Sequence, residues 1–352
     1  MLRLRPVLLL AGLALSIVLT YFALRDIDFD AFLEALRDGD PLWYLASFAV
    51  FVAAYGVRVL RWRLLFEPRA RPPLPPLIRA CLVGDFLTSL MPVLRLGEIA
   101  RVVVLHREAR TSRSVALGTV VTERLQDSIA LLVLLFAAVP FAPAVSWLRA
   151  ATLLLALLLI ALAATLLVLA RFGSRPLGFL LRPLARLPGF SRARTELAAE
   201  GIVRGLGGLR NTRLALTAFA LSLVLWLGVA LSYTLALRGV GVELGLEAGI
   251  LVAVATTFSL LLPALPASVG IFEAAALVAL EPYGVDGALA LSGAVVIHVL
   301  TFVPFLILGP LALRGGVRRR QGRQKAPSPP ARPRQATTRP PAARTRGPGP
   351  VG

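Results

Sequence analysis

The stretch MPVLRLGEIARVVVLHREARTSRSVALGTVVTERLQDSIALLVLLFAAV, residues 91–139, combines apolar segments with an unusual number of charged side chains. Its second apolar segment, Ser114–Val139, is long enough to cross the roughly 30 Å hydrocarbon core of a bilayer. Glu123, Arg124 and Asp127 lie near the start of that segment. Because ionisable side chains at membrane depth are costly and usually functional, we expect the rest of the molecule to be built around this stretch.

The composition of the whole chain is that of a membrane protein. Hydrophobic residues make up 57% of the 352 residues, and the mean hydropathy is +0.78. The apolar runs are continuous, which excludes the alternating pattern of a barrel and the short alternating strands of a soluble α/β enzyme. The sequence therefore predicts an all-α, polytopic helical membrane protein.

Few residues are available for a metal or cofactor site. The chain has one cysteine, Cys81, in an apolar run, and two histidines, His106 and His298. This excludes a disulfide framework and a cysteine-based metal site, and it argues against a histidine-rich metal centre. We expect no metal, no cofactor and no catalytic residue. Because the sequence shows no ATP-binding motif, any transport would be passive or driven by an ion gradient.

Positive charge in the loops predicts the topology of six full spans. Arginines precede the first span and follow the second, and residues 171–213 carry nine arginines against two glutamates. That loop is expected to hold an amphipathic surface helix on the cytoplasmic side, and both chain termini are expected in the cytoplasm, with the protein in the cell membrane. The predicted spans are Val7–Ala23, Leu42–Leu60, Ser114–Val139, Ala150–Ala170, Leu214–Leu237 and Ala288–Leu313.

Two further apolar segments are predicted to be re-entrant hairpins. The first, Leu77–Pro92, has arginines on both flanks, which indicates that the chain enters from the cytoplasm and returns to it. The second, Gly249–Leu280, is too short for two spans of roughly 20 residues each and carries one charge, Glu273. The residues expected to break or hinge these helices are Pro92, Gly97, Pro263, Pro266 and Gly270.

Six spans and two broken hairpins, one from each face, resemble an inverted-repeat transporter. Such folds hold their substrate near the middle of the membrane, where the N-termini of half-helices present N–H groups and positive dipole ends to an anion. We therefore assign residues 1–313 to one integral membrane domain.

The C-terminal segment 314–352 is expected to be a disordered tail. It carries 11 of the basic residues and no acidic residue, in a chain whose net charge is +19. With little to bury it is not expected to fold, and its charge predicts attraction to an anionic lipid surface on the cytoplasmic side. We expect no nucleic-acid partner.

Three motifs resemble a known family. PVLRLGEIAR (92–101), ALGTVVTERLQD (116–127) and LLPALPASVGIFEAA (261–275) are similar, in this order, to the lysylphosphatidylglycerol synthase transmembrane family, also called the flippase-like domain family. The resemblance spans about residues 7–313 and implies a helical membrane domain that moves or handles lipids. The family's soluble aminoacyltransferase domain is not expected here, so the resemblance implies no lysyl-transfer activity.

The charged residues at membrane depth are the candidate substrate-binding residues. Arginines could hold a headgroup phosphate, and carboxylates could balance them or meet a cationic headgroup. The alternative for Glu123, Arg124 and Asp127 is a purely structural ion network. His298 has two interpretations, a hydrogen-bonded core residue, which is favoured, and a proton relay. A further alternative is a simple salt bridge between the candidates Glu98 and Arg101. The candidates are Asp85, Arg95, Glu98, Arg101, Glu123, Arg124, Asp127 and Glu273.

Three classes of function follow from the sequence. The first is a protein that binds a phospholipid or another lipid-linked substrate and flips its headgroup across the cytoplasmic membrane. The second is a membrane-embedded transferase with an acidic residue such as Asp85 or Glu98 as base. The third is a non-transporting scaffold that binds a lipid-modifying enzyme through the basic tail. A lipid transporter is favoured over an enzyme.

Overall fold

A computed structural model describes residues 29–90, 96–143, 153–162, 164–165, 168, 211–260 and 268–325, with side chains as far as residue 314. The chain divides into a unit of residues 1–314, which holds every side-chain contact given below, and a second unit of residues 315–352. Several sequence predictions therefore lie outside the described residues. These are the span Val7–Ala23, the loop from residue 171 to 210, the tail from residue 326, and the residues Pro92, Arg95, Pro263 and Pro266.

The described residues form ten α-helices and contain no β-strand, which confirms the all-α prediction. The helices are α1 (Phe29–Arg37), α2 (Pro41–Leu64), α3 (Leu74–Leu90), α4 (Leu96–Ala109), α5 (Arg113–Ala138), α6 (Leu153–Leu162), α7 (Thr212–Gly239), α8 (Leu246–Ser259), α9 (Ile271–Leu280) and α10 (Gly287–Lys325).

Four helices are long and apolar enough to cross a membrane. They are α2, α5 with its extension to Phe141, α7, and α10 as far as Arg314. Each coincides with a predicted span, although α2 continues to Leu64 instead of ending at Leu60. The predicted span Ala150–Ala170 is represented mainly by the shorter apolar helix α6. A polytopic helical membrane protein is therefore the fold class.

The first hairpin consists of α3 and α4, and the predicted break near Pro92 falls between them. The two helices are antiparallel, since Gly84 lies against Gly97 while Arg79 pairs with Glu108 at the other end. A Cβ atom on Gly97 would lie 2.1 Å from the carbonyl oxygen of Gly84, so only glycine allows this approach. Gly97, expected to be a hinge, is instead a packing position within α4.

The second hairpin consists of α8 and α9, which pack against each other. Gly270 is the N-cap residue of α9 with a φ of 86°, a left-handed conformation that favours glycine. Its backbone N–H donates to the Glu273 carboxylate at 2.7 Å, which starts the helix. Gly270 therefore lies at a helix boundary.

The order of long helix, hairpin and long helix occurs twice, as α2 to α5 and as α7 to α10. The two leading helices, α2 and α7, run antiparallel along much of their length. The Ser47 hydroxyl donates to the carbonyl oxygen of Ser232 at 2.8 Å, and a Cβ atom on Gly228 would lie 3.0 Å from that of Ala54. The inverted repeat itself stays a prediction, and the opposite directions of α2 and α7 are those that it requires of equivalent helices.

The last helix extends further than the sequence suggested. The tail was expected to begin at residue 314, whereas the backbone of α10 is helical as far as Lys325. Residues 315–325 contain no proline, and their arginines, glutamines and lysine are good helix formers, although three glycines in the same segment disfavour a helix.

Candidate functional site

Six charged side chains form one buried network between the first hairpin and the long helices. Three are positive and three are negative, so the network is neutral overall. Arg58 and Arg61 are three residues apart on α2, and Glu123 and Asp127 are four apart on α5, so each pair shares a helix face. The members are Arg58 and Arg61 of α2, Asp85 of α3, Arg101 of α4, and Glu123 and Asp127 of α5.

Glu123 is the centre of this network and is completely buried. Arg101 donates to both carboxylate oxygens, with Nη1–Oε1 and Nη2–Oε2 distances of 3.1 and 2.7 Å. The Nε atom of Arg58 lies 3.3 Å from Oε1, and Nη2 of Arg61 lies 3.7 Å from it. A single carboxylate is therefore in contact with three guanidinium groups, which compensates its burial.

One end of the network is the pair of Arg58 and Asp85, whose side chains are each 15% exposed. The two guanidinium Nη atoms lie 2.9 and 3.2 Å from the carboxylate oxygens, a bidentate arrangement. The Tyr55 hydroxyl also donates to Asp85, at 2.8 Å. This end links α2 to the first hairpin.

The other end is the pair of Arg61 and Asp127, which is more deeply buried. Arg61 donates to both oxygens of Asp127, with Nη2 at 3.2 Å from Oδ2. Its Nη1 also donates to the Ser222 hydroxyl at 2.6 Å, and the indole N–H of Trp226 donates to Asp127 at 3.1 Å. Through these two residues of α7, the second half of the chain contacts the network.

The Arg101 side chain is enclosed by apolar and weakly polar groups. Its Cζ atom lies 4.1 Å from the centre of the Trp62 ring, a cation–π geometry. The Trp62 indole N–H donates to the Thr119 hydroxyl at 3.1 Å. The Nη2 atom of Arg101 also lies 3.7 Å from the Cys81 sulfur. These contacts fix the orientation of Arg101 toward Glu123.

A second, separate pair lies beside the network. Arg124 contacts Glu98 of α4 at 3.2 Å, and the two side chains are 44% and 27% exposed. The sequence had grouped Arg124 with its neighbour Glu123, but consecutive residues of a helix point about 100° apart and do not face each other. The alternative of a simple salt bridge between Glu98 and Arg101 is wrong, because Glu98 pairs with Arg124 and Arg101 pairs with Glu123.

A third pair belongs to the second hairpin. Glu273, in the first turn of α9, lies 2.5 Å from Nδ1 of His298 on α10, and both residues are mostly buried. The imidazole also contacts the rings of Phe272 and Phe302, with centroid distances of 4.5 and 4.3 Å. The partner of Glu273 is thus a histidine and not the arginine that the sequence suggested. His298 is a hydrogen-bonded core residue, as one of the two interpretations held.

The structure brings four of the predicted site residues into the network. Sequence reasoning missed Arg58 and Arg61, which it took as cytoplasmic topology charges. The two arginines are three residues apart on α2 and the two acids are four apart on α5, so each pair shares one helix face. This pairing of faces was the signal that could have found the arginines. The four are Asp85, Arg101, Glu123 and Asp127, while Glu98, Arg124 and Glu273 lie in separate pairs and Arg95 is outside the described residues.

The network retains unused hydrogen-bonding capacity. Among the network side chains that the structure describes, the Nε atoms of Arg61 and Arg101 are buried without a hydrogen-bond partner. Buried polar atoms are normally paired, so these atoms are suited to a water molecule or a polar ligand group. Arginines that contact several carboxylates can also exchange one partner for a phosphate oxygen.

Comparison with known families agrees with this architecture. The family described as Lysylphosphatidylglycerol synthase TM region matches residues 9–309, which include both hairpins, the charge network and all four long helices as far as residue 309. A search of curated proteins found no match to the chain. The resemblance carried by the three sequence motifs is thereby confirmed. Since the match covers most of the 352 residues, this chain is a helical membrane protein that belongs to the family of lysylphosphatidylglycerol synthase transmembrane regions.

Proposed function

We propose that this protein binds the headgroup of a phospholipid or another lipid-linked substrate and translocates it across the cell membrane. The observation that carries the proposal is the neutral network of three arginines and three carboxylates, which is buried where the first hairpin meets α2 and α5. Removing charged groups from solvent is costly, so such a network is retained for a reason other than stability alone.

A headgroup that crosses the bilayer loses its water and needs replacement partners for its charges. It carries a phosphate, and many headgroups also carry an amine or hydroxyl groups. A site with net charge zero that offers both guanidinium and carboxylate groups supplies these partners. Because it is neutral, it does not hold an ionic headgroup so tightly that release becomes slow.

The exposure of the ion pairs supports an order in which the headgroup contacts them. The pair of Glu98 and Arg124 is the most exposed, the pair of Arg58 and Asp85 is partly exposed, and Glu123 is completely buried. The Glu98–Arg124 pair joins α4 to α5, the same two helices that Arg101 and Glu123 join within the network. We therefore place first contact with the headgroup at Arg124 and its later contacts at the network, from the partly exposed Arg58 and Asp85 to the buried Arg101 and Glu123.

The other partners follow from the same proposal. The family's association with lipid synthesis suggests that a lipid-modifying enzyme supplies the substrate. The basic tail is proposed to contact anionic lipid at the cytoplasmic surface.

Translocation is tested in proteoliposomes that contain a fluorescent phospholipid quenched from outside. We expect wild-type protein to expose inner-leaflet label faster than empty liposomes. Arg124→Gln should lower the rate about tenfold or more, since a hydrogen bond to a charged group contributes about 1.5–3 kcal/mol. Arg79→Gln is the matched control, because Arg79 pairs with Glu108 at the other end of the hairpin.

Two outcomes would contradict the proposal. One is a wild-type rate equal to that of empty liposomes, and the other is an Arg124→Gln rate equal to that of wild type. Deletion of residues 318–352 separates the translocator from the scaffold, since only a scaffold that acts through the tail requires those residues. We expect the truncated protein to translocate lipid at the wild-type rate.

A further inference from the structure

The two halves of the chain place an acid and a base in equivalent positions. In each half, the second helix of the hairpin has a glutamate in its first turn, Glu98 in α4 and Glu273 in α9. Each glutamate pairs with a basic side chain on the next long helix, Arg124 on α5 and His298 on α10. The sequence separations are 26 and 25 residues, so the two pairs correspond within the repeated order of helices.

The two bases differ in one property that matters for transport. An arginine side chain stays positively charged at any physiological pH, whereas histidine is the side chain that gains or loses its charge between pH 5 and 8. The base in the pair of the first half, Arg124, therefore keeps its positive charge. The pair of the second half contains a base that can change its charge.

We propose that Glu273 and His298 form a proton-binding site that couples headgroup movement to a proton gradient. This inference rests on the proposed function, and it adds the coupling ion. The geometry supports it, because Nδ1 of His298 lies 2.5 Å from Oε1 of Glu273, close enough for the two groups to share one proton. The other carboxylate oxygen accepts the N–H of Gly270 at 2.7 Å, at the hinge of the hairpin.

The proton balance of such a site is simple. With one shared proton the pair carries a single negative charge, and a second proton, taken up by the imidazole, makes it neutral. In each cycle the pair takes up one proton from one side of the membrane and releases one to the other side. No other reactant is consumed.

The surroundings of Glu273 and His298 are apolar, so a change in the net charge of the pair affects the energy of their contact. Two aromatic rings, Phe272 and Phe302, lie against the imidazole, and α9 contains no ionisable side chain besides Glu273. In such surroundings a net charge is poorly solvated, so the energy of the hinge contact depends on the protonation state. The ionisable groups of the neighbouring helices are Tyr233, Arg213 and Arg238 of α7, Glu247 in the first turn of α8, the charged residues of α5 described above, and Arg314 of α10.

The proposal is tested first with wild-type protein in liposomes that carry an imposed pH difference. A difference of about two units is about a hundredfold in proton activity, so one proton per headgroup would move the leaflet distribution of labelled lipid by up to about a hundredfold. We expect an unequal distribution that reverses when the gradient is reversed. Translocation with an equal distribution under both gradients would overturn proton coupling and leave the proposed function intact. Absence of translocation would instead contradict the proposed function.

A second measurement addresses the site itself and does not depend on translocation. The chain has only two histidines, so ¹⁵N-histidine labelling gives signals from the nitrogens of two imidazole rings. The signals that remain in His106→Gln are those of His298. We expect the His298 ring to change its protonation state between pH 5 and 8 and Glu273→Gln to move that transition. A His298 ring that keeps one protonation state over this range would overturn the proposal.

The two histidine variants provide a matched comparison in the liposome assay. His298→Gln should abolish the response to the gradient. His106→Gln should keep it, because Nδ1 of His106 lies 2.8 Å from the carbonyl oxygen of Thr111, at the other end of α4. An equal gradient response in the two variants would contradict the assignment of the proton to His298.

Discussion

Removing the Glu123 carboxylate alone should destabilise the protein more than removing Glu123 and Arg101 together. Glu123→Leu leaves the buried Arg101 guanidinium without the carboxylate that it contacts at 3.1 and 2.7 Å, and the network then carries one positive charge. The double variant Arg101→Met, Glu123→Leu returns the network to neutrality. The two arginine–aspartate pairs at its ends remain intact in that variant.

The magnitudes follow from the contacts of each residue. Removing one partner of a buried ion pair costs about 3–5 kcal/mol, whereas replacing both partners with apolar side chains is often neutral. Glu123 contacts three guanidinium groups, so we expect about 5 kcal/mol for Glu123→Leu. Arg101→Met leaves Glu123 with Arg58 at 3.3 Å, so we expect about 3 kcal/mol. We expect the double variant to be destabilised by less than about 3 kcal/mol. The coupling energy between Arg101 and Glu123 is then about 5 kcal/mol or more.

The free energy of unfolding can be measured in detergent micelles titrated with sodium dodecyl sulfate. Tryptophan fluorescence is a suitable signal, because the Trp62 ring centre lies 4.1 Å from the Cζ atom of Arg101. A matched cycle uses Arg79→Met and Glu108→Leu, a pair at 2.7 Å whose side chains are 15% and 22% exposed. This pair is more exposed than Arg101 and Glu123, whose side chains are 1% and 0% exposed, so the coupling in this control should be smaller. Additivity within about 0.5 kcal/mol at Arg101 and Glu123 would refute the reasoning.

Two further predictions concern helix packing and capping, and the same unfolding measurement checks both. Gly97→Ala places a Cβ atom 2.0 Å from Oγ1 of Thr88, so it should destabilise by about 1–3 kcal/mol, whereas Gly56→Ala, with no atom within 4 Å, should be neutral or stabilising by up to about 1 kcal/mol. Equal effects of the two alanines would contradict this. Asp40→Ala removes the N-cap of α2, where the carboxylate accepts the Leu42 N–H at 2.8 Å, and should cost about 0.5–2 kcal/mol. An unchanged free energy would contradict the capping role.

The long helices were predictable because a continuous apolar run of spanning length is a strong signal. The predicted span Ser114–Val139 and the observed α5, Arg113–Ala138, differ by one residue at each end. The prediction of the helix ends was less accurate where a helix contains charged residues near its end. The predicted second span ended at Leu60 because the arginines that follow were assigned to a loop, but α2 continues to Leu64.

The partners within the site could not be predicted from local spacing alone. Helical geometry correctly places Glu123 and Asp127 on one face, but Arg124 is three residues before Asp127, so spacing alone does not separate it from them. It does not reveal that Arg61 lies opposite Asp127, because that contact joins positions 66 residues apart through the packing of α2 against α5. The same limit applies to Ser222 and Trp226, whose contacts with the network depend on how α7 packs.

The symmetry of the molecule lies in its electrostatics more than in its residue identities. The two halves show too little sequence similarity to establish a repeat, yet each has a glutamate in the first turn of the second hairpin helix and a base on the following long helix. A carboxylate there stabilises the positive end of the helix dipole, and the base offsets its charge within the membrane. These requirements fix the type of charge at each position but leave arginine and histidine both acceptable. Two halves with the same order of helices can therefore keep their ion pairs while one base is an arginine and the other a histidine.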